Sequence, residues 1–224
     1  MPAEGPLRHG HDAGFRLIET MRWEPGTGLV RRDLHFSRLA GSARELGFAF
    51  SQQAVDTRIR AALRGANGAM RVRVVLERDG QATVEAKPFA ALPAARPWRL
   101  GIAAIRLDST DPLLRHKTSR RAVYEAARAE FSPGDADEVL LLNERGELCE
   151  GTITSLFVET GHGLLATPAL GCGLLPGVLR AELIEHGKAE ERVLLPRDIG
   201  GRRLFVGNSL RGLIEATLSP QGAP

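Results

Sequence analysis

Apolar and charged positions alternate most sharply from Met70 to Glu77, where MRVRVVLE sets arginine or glutamate against valine and leucine. A period of two predicts a strand with one wet face. Asp79-Gly80 then reads as a hairpin turn into a partner strand, Ala82 to Lys87. Upstream, Phe15 to Trp23 is expected to be extended, and EPGTG from Glu24 to Gly28 to be a turn-rich connector. Leu34, Leu39, Ala43 and Leu46 recur at roughly helical spacing, which predicts a helix over Leu34 to Phe48 with Gly47 near its end. A second helix is expected over Asp56 to Leu63, before Asn67-Gly68 breaks the chain. PFAALPAARP reads as an irregular crossing, followed by a strand over Leu100 to Leu107.

In the second half, RRAVYEAARAE predicts a helix within Thr118 to Glu130, stopped by Pro133-Gly134. Short strands are expected over Glu138 to Leu142, Leu148 to Thr152, Leu156 to Glu159 and Leu164 to Thr167, with a turn at Asn143 to Gly146. Pro176-Gly177 introduces a helix over Val178 to Glu185. Val193 to Leu195 and Leu204 to Val206 read as strands, and Arg211 to Ala216 as a last helical turn. The pattern is mixed α/β (α+β), with a small N-terminal domain over residues 1–109 and a larger C-terminal one over 110–224.

Composition narrows the function classes. A chain of 224 residues with 43% apolar and 25% charged residues can bury a sizeable core without disulfides or metals. The net charge of +3 comes from 27 arginines against three lysines, and the arginines are scattered rather than gathered into a stripe, so no nucleic-acid partner is expected. Cys149 and Cys172 lack CxxC spacing and read as reduced small hydrophobes. No metal site is expected, because the histidines lack ligand spacing. The N-terminus lacks a signal-type apolar core and no run reaches membrane-spanning length, so no membrane partner and a cytoplasmic location are expected.

The three lysines are Lys87, Lys117 and Lys188. A lysine serves as a nucleophile only where burial or neighbouring cations lower its pKa. Lys87 follows a predicted strand and Lys188 lies in the charged segment HGKAEER. Lys117 is flanked by Arg115, His116, Arg120 and Arg121, a crowd that would depress an amine's pKa. From the residues alone it reads more readily as a solvent-facing base at a helix start, since most lysines are exposed.

The blocks HKTSRRAVYEAAR, LLLNERGELCEGTITSLFVE, TPALGCGLLPGVLR and FVGNSLRGL, preceded by LIETMR and HFSRLAGSARELGF, resemble the class IV aminotransferase family, most of all its aminodeoxychorismate lyase branch. The resemblance covers nearly the whole chain and keeps the blocks in order. It implies a two-domain fold-type IV pyridoxal-phosphate (PLP) enzyme, similar to D-amino acid and branched-chain aminotransferases, that forms a homodimer and acts on a small-molecule amine. Lys117 would carry the cofactor and act as general base. Glu150 would pair with the pyridine nitrogen, where a carboxylate holds the ring proton. Arg38 would bind the phosphate in a charge-assisted contact, with Val178, Leu179, Asn208 and Ser209 completing the cup. Thr20 would lie near the reacting groups, and Arg22 or Arg211 would meet substrate carboxylates.

Each residue has a plainer reading by itself: Glu150 as a turn carboxylate, Arg38 as a surface helix residue, Thr20 as a β-branched strand residue. The implied reaction is cleavage of 4-amino-4-deoxychorismate to 4-aminobenzoate and pyruvate, with transamination of a branched-chain or D-amino acid as the alternative and a non-catalytic binding module as a third. Two departures stand out. Ser155 replaces the family's usual asparagine, and the chain starts close to its ETMR block, without the leading strand and glycine-rich turn of free-standing members.

Overall fold

The computed structural model describes residues 14–90, 96–161 and 163–219. Half of the expected PFAALPAARP crossing, residues 91–95, and nearly all of the polar N-terminal tail therefore lie outside the described residues.

Strands β1 (Leu17–Glu24), β2 (Gly28–Leu29), β3 (Met70–Leu76) and β4 (Ala82–Pro88) form an antiparallel sheet in the order β2-β1-β3-β4. Helices α1 (Arg32–Leu46) and α2 (Gln52–Ala62) cover one face. Leu17, Met21, Val72, Val74 and Leu76 meet Phe36, Leu39, Val55 and Ile59 in that layer's core. Because side chains alternate along a strand, Ile18, Thr20, Arg71 and Arg73 fall on the other face, and Thr20 stands directly opposite Arg73 in the ladder.

The second sheet contains β5 (Trp98–Leu107), β6 (Glu138–Asn143), β7 (Leu148–Gly151), β8 (Ser155–Gly161), β9 (Leu164–Pro168), β10 (Ala189–Arg192), β11 (Leu204–Asn208) and β12 (Gly212–Leu218). Its order is β10-β9-β8-β11-β12-β5-β6-β7. Every residue of β6 is buried, because apolar clusters pack on both of its faces. Helices α3 (Ala122–Ala129) and α4 (Val178–Glu185) pack against this sheet. The chain changes sheets between β4 and β5. The strand expected before a boundary at 109 thus pairs in the second sheet, with β6 and β12.

Several expected elements differ. Residues from Gly212 onward form a strand rather than a helical turn, since GLIEATL alternates and pairs with β11 across a short turn. Val193 to Leu195 is not a strand; β10 lies just upstream, parallel to β9, and Leu194 tucks into the core. Helix α2 begins earlier than expected, at a Ser51 cap whose side chain accepts from the Ala54 N–H at 3.3 Å. Helix α3 begins at Ala122, four residues after Thr118, because the preceding segment is extended against β1.

Candidate active site

That extended segment fixes Lys117. The Ile18 N–H donates to the Lys117 carbonyl at 2.8 Å and the Ser119 N–H to the Arg16 carbonyl at 2.9 Å, with Thr118 bridged to Leu17. The backbone of Lys117 is thereby clamped to β1, and its side chain lines a cavity of about 550 Å³ between the two sheets. Desolvation, reinforced by the nearby Arg38 charge, lowers its amine to about 8.

Thr20, Arg38, Lys117, Glu150, Val178, Leu179, Asn208, Ser209 and Arg211 all line this one cavity. Arg22, the alternative to Arg211 as a substrate contact, is not among the lining residues; it forms an ion pair with Glu24 at 3.1 Å.

Glu150 sits on β7, buried, and burial pushes its carboxyl up to about 7 against the opposing effect of its hydrogen bonds. Those bonds come from the Tyr124 hydroxyl at 2.8 Å and the Leu175 N–H at 3.1 Å, both onto Oε1. Tyr124 in turn lies under the Arg121 guanidinium, 4.7 Å from the ring centre.

Arg38, on α1, grips Glu19 with two prongs, Nε to Oε1 at 2.8 Å and Nη2 to Oε2 at 2.7 Å, while Nη1 donates to the Pro176 carbonyl at 3.0 Å. Each terminal nitrogen carries two hydrogens, so each keeps one N–H for a further acceptor. Burial pushes Glu19 up, but Arg38 and His35 outweigh it and hold the carboxyl at about 2. Glu19 and His35 went unread at the sequence level. A signal was present: Glu19 stands between Leu17 and Met21 on the apolar face of β1, where a charge requires a buried partner.

Helix α4 opens at Gly177, and the N–H groups of its first turn have no acceptor within the helix. A Cβ on Gly177 would lie 2.5 Å from Ser155 Oγ, and one on Gly207 would lie 2.7 Å from the Gly212 carbonyl oxygen, so the backbone approaches closely at both places. Asn208 shapes the neighbouring turn: Nδ2 donates to the Ile153 carbonyl, and Oδ1 accepts from the Leu210 and Arg211 N–H groups. Glu138, also unread from the sequence, holds the Gly151–Thr154 loop by accepting from the N–H groups of Thr152 and Ile153 and the hydroxyls of Thr152 and Thr154.

Together the cavity offers an amine that loses its proton near neutral pH, a carboxyl that shares one, and a helix start with an arginine suited to a dianion. Its volume falls within the range typical of cofactor and ligand pockets. Pyridoxal phosphate fits these residues: an aldehyde for Lys117, a ring nitrogen for Glu150 and a phosphate for Arg38 and the α4 start. Among the described residues, no group of three or more His, Cys, Asp or Glu is arranged to hold a metal, and no helix is long and apolar enough to cross a membrane.

Residues 16–218 match the family model for amino-transferase class IV. A curated protein of Schizosaccharomyces pombe, named "Putative aminodeoxychorismate lyase", is 32% identical over 193 residues, covering 82% of each chain. A second, from Thermotoga maritima and named "Probable branched-chain-amino-acid aminotransferase", is 36% identical over 91 residues, covering 38% of this chain and 32% of its own. Among solved structures, a Mesorhizobium loti protein named "Putative amino-acid aminotransferase" superposes with a TM-score of 0.89 at 57% identity, covering 92% of this chain and 100% of the other. The 4-amino-4-deoxychorismate lyase of Pseudomonas aeruginosa shares the fold with a TM-score of 0.78 at 22% identity, covering 93% and 84%. With both sheets and the cavity between them inside the matched span, the chain belongs to the class IV aminotransferase family of PLP-dependent enzymes.

Proposed function

We propose that this enzyme cleaves 4-amino-4-deoxychorismate to 4-aminobenzoate and pyruvate, with Lys117 as the amine that carries pyridoxal phosphate. The observation that carries the reading is that Lys117, the buried Glu150 carboxyl, Arg38 and the start of α4 line one cavity; burial lowers the Lys117 amine and raises the Glu150 carboxyl, which suits both to proton transfer. The name of the S. pombe relative supports the lyase over other family reactions. When bound, the cofactor supplies an aldehyde and an electron-withdrawing ring that accepts charge from the substrate carbon.

Arg38, Ser209, Asn208 and the N–H groups of Val178 and Leu179 hold the phosphate. Glu150, oriented by the Tyr124 hydroxyl, would pair with the ring nitrogen and favour its protonated form. With the cofactor bound, the free amine of Lys117 would remove the proton from the substrate carbon that bears the amine, a task suited to a base near neutral pKa. The electron pair left by that proton expels the enolpyruvyl oxygen, and aromatisation drives the step. Lys117, now protonated, returns a proton to the departing group. Thr20, on the small-sheet face, holds water or relays that proton, and Arg211 engages a substrate carboxylate. The reading includes a homodimer and a division into a small and a larger domain.

A second reading is amino transfer, favoured by the name of the 57% identical M. loti protein. In that case Lys117 would move the substrate proton without any bond to oxygen breaking. Aminodeoxychorismate, and separately a panel of amino-acid and keto-acid pairs, distinguish the two. Equimolar pyruvate and 4-aminobenzoate support the lyase; amino transfer without pyruvate release from aminodeoxychorismate overturns it.

A further inference from the structure

Glu19, His35 and Ser209 form a hydrogen-bonded chain closed to solvent. His35 Nδ1 lies 2.6 Å from Glu19 Oε2, and His35 Nε2 lies 2.7 Å from Ser209 Oγ. The three residues are 1%, 1% and 6% exposed. An ionised carboxylate only accepts hydrogen bonds, and the two-pronged Arg38 contact keeps Glu19 ionised. The ring therefore carries a proton on Nδ1, which donates to Glu19.

The other ring nitrogen then decides what Ser209 can do. In a neutral ring Nε2 is bare, so the Ser209 hydroxyl donates to it and turns only lone pairs towards the cavity. That polarity repels an anion. For Ser209 to donate outward, it must instead accept from an Nε2 that bears hydrogen, and the ring must be a cation.

We propose that binding of a phosphate group at Ser209 is accompanied by uptake of one proton at His35, which converts Ser209 from a donor to the ring into a donor to the anion. The proposal rests on the reading above that the phosphate of the cofactor lies at Ser209. It assigns His35 and Glu19 as positioning residues for the anion site.

The charges facing the ring are consistent with this exchange. Glu19 comes from β1, Arg38 from α1 and Lys117 from the segment clamped to β1, while Arg31 Nη1 reaches the Ser209 carbonyl at 3.2 Å. Without an anion, burial lowers the ring's pKa, Glu19 opposes that, and Arg38 and Lys117 add to it. A dianion beside Ser209 adds negative charge on the far side and favours the cation. A group whose pKa rises on binding strengthens binding at low pH and loses that advantage as pH rises through its bound-state value. Phosphate affinity should therefore fall by up to about tenfold per pH unit between the free and bound pKa values of the ring.

Calorimetric titration of inorganic phosphate into the cofactor-free full chain, repeated in buffers of different ionisation heat at several pH values from mildly acidic to mildly alkaline, measures the protons taken up where uptake is greatest. The wild type should approach one proton per phosphate more than Ser209→Ala, which has no hydroxyl to turn; the comparison cancels any uptake at Lys117. Equal uptake in the two proteins overturns the proposal and leaves the phosphate site standing. Absence of uptake in the wild type also overturns it, whether or not the variant folds. Absence of phosphate binding overturns both the proposal and the phosphate-site reading.

Discussion

The Tyr124 hydroxyl donates to Glu150 Oε1 across 2.8 Å, and the Leu175 N–H reaches the same oxygen, so neither contact uses Oε2. Tyr124 comes from α3 and Glu150 from β7, and both line the cavity. The carboxyl is thus held by one oxygen and presented by the other.

Tyr124→Phe removes one of two donors that oppose the upward push of burial on Glu150. Hydrogen bonds to a charged group contribute about 1.5–3 kcal/mol. The Glu150 pKa should move further up, and turnover should fall by about 10- to 100-fold. A pH titration of the visible band of the bound cofactor checks the first outcome and steady-state kinetics the second.

Lys117→Met should abolish turnover, a loss of at least about 10²–10⁴-fold for a general base alone, while stabilising the cofactor-free protein. The folded-state value of about 8 lies below the ordinary 10.5, so the folded protein binds fewer protons than the unfolded chain between those values. Burying the lysine therefore costs stability below about pH 8, and the cost is relieved as pH rises towards 10.5. At neutral pH the methionine variant should gain up to about 3 kcal/mol. Denaturant unfolding of both proteins measures the difference, which should shrink as the buffer is made alkaline.

Glu19→Gln breaks a buried ion pair and leaves Arg38 without its two-pronged partner. The expected loss is about 3–5 kcal/mol of stability, together with weaker phosphate binding. In the wild type the Glu19 carboxyl, held at about 2, contributes stability that is fully present above 4.5 and is lost as pH falls towards 2. The variant's acid-unfolding curve should be correspondingly flatter over that range.

Ser155→Asn, which restores the more usual family residue, should destabilise this chain. The Ser155 hydroxyl lies where a Cβ on Gly177 would come within 2.5 Å of it, so the start of α4 leaves little room for a longer side chain. Overpacking typically costs about 1–3 kcal/mol. A lower melting temperature and weaker cofactor retention check this; equal stability means that the asparagine finds other space.

The sheets were legible where one face is wet and the other dry, as in β3, where Val72 and Val74 pack inward and Arg71 and Arg73 face the cavity. They were illegible where tertiary contacts override a local pattern. Lys117 to Ser119 looks like a helix start beside RRAVYEAARAE, yet its backbone hydrogen bonds go to β1, a partner about 100 residues earlier in the chain. Arg211 to Ala216 reads as a helical turn, but Gly212 to Leu218 is extended because β11 is there to pair with it. In the site, the cavity gathers Lys117, Glu150, Arg38 and Ser209 from separate blocks whose order alone suggested a common purpose. The supports were harder to read: the position of Glu19 between Leu17 and Met21 calls for a buried partner without naming it, and His35 and Tyr124 act through side chains distant in sequence.

Borohydride reduction of the cofactor-supplied enzyme, followed by peptide mass mapping, tests the central claim most directly. The expected result is loss of the visible band with the reduced cofactor attached at Lys117. Attachment at Lys87 or Lys188, or none in a fully folded and cofactor-saturated protein, would contradict it.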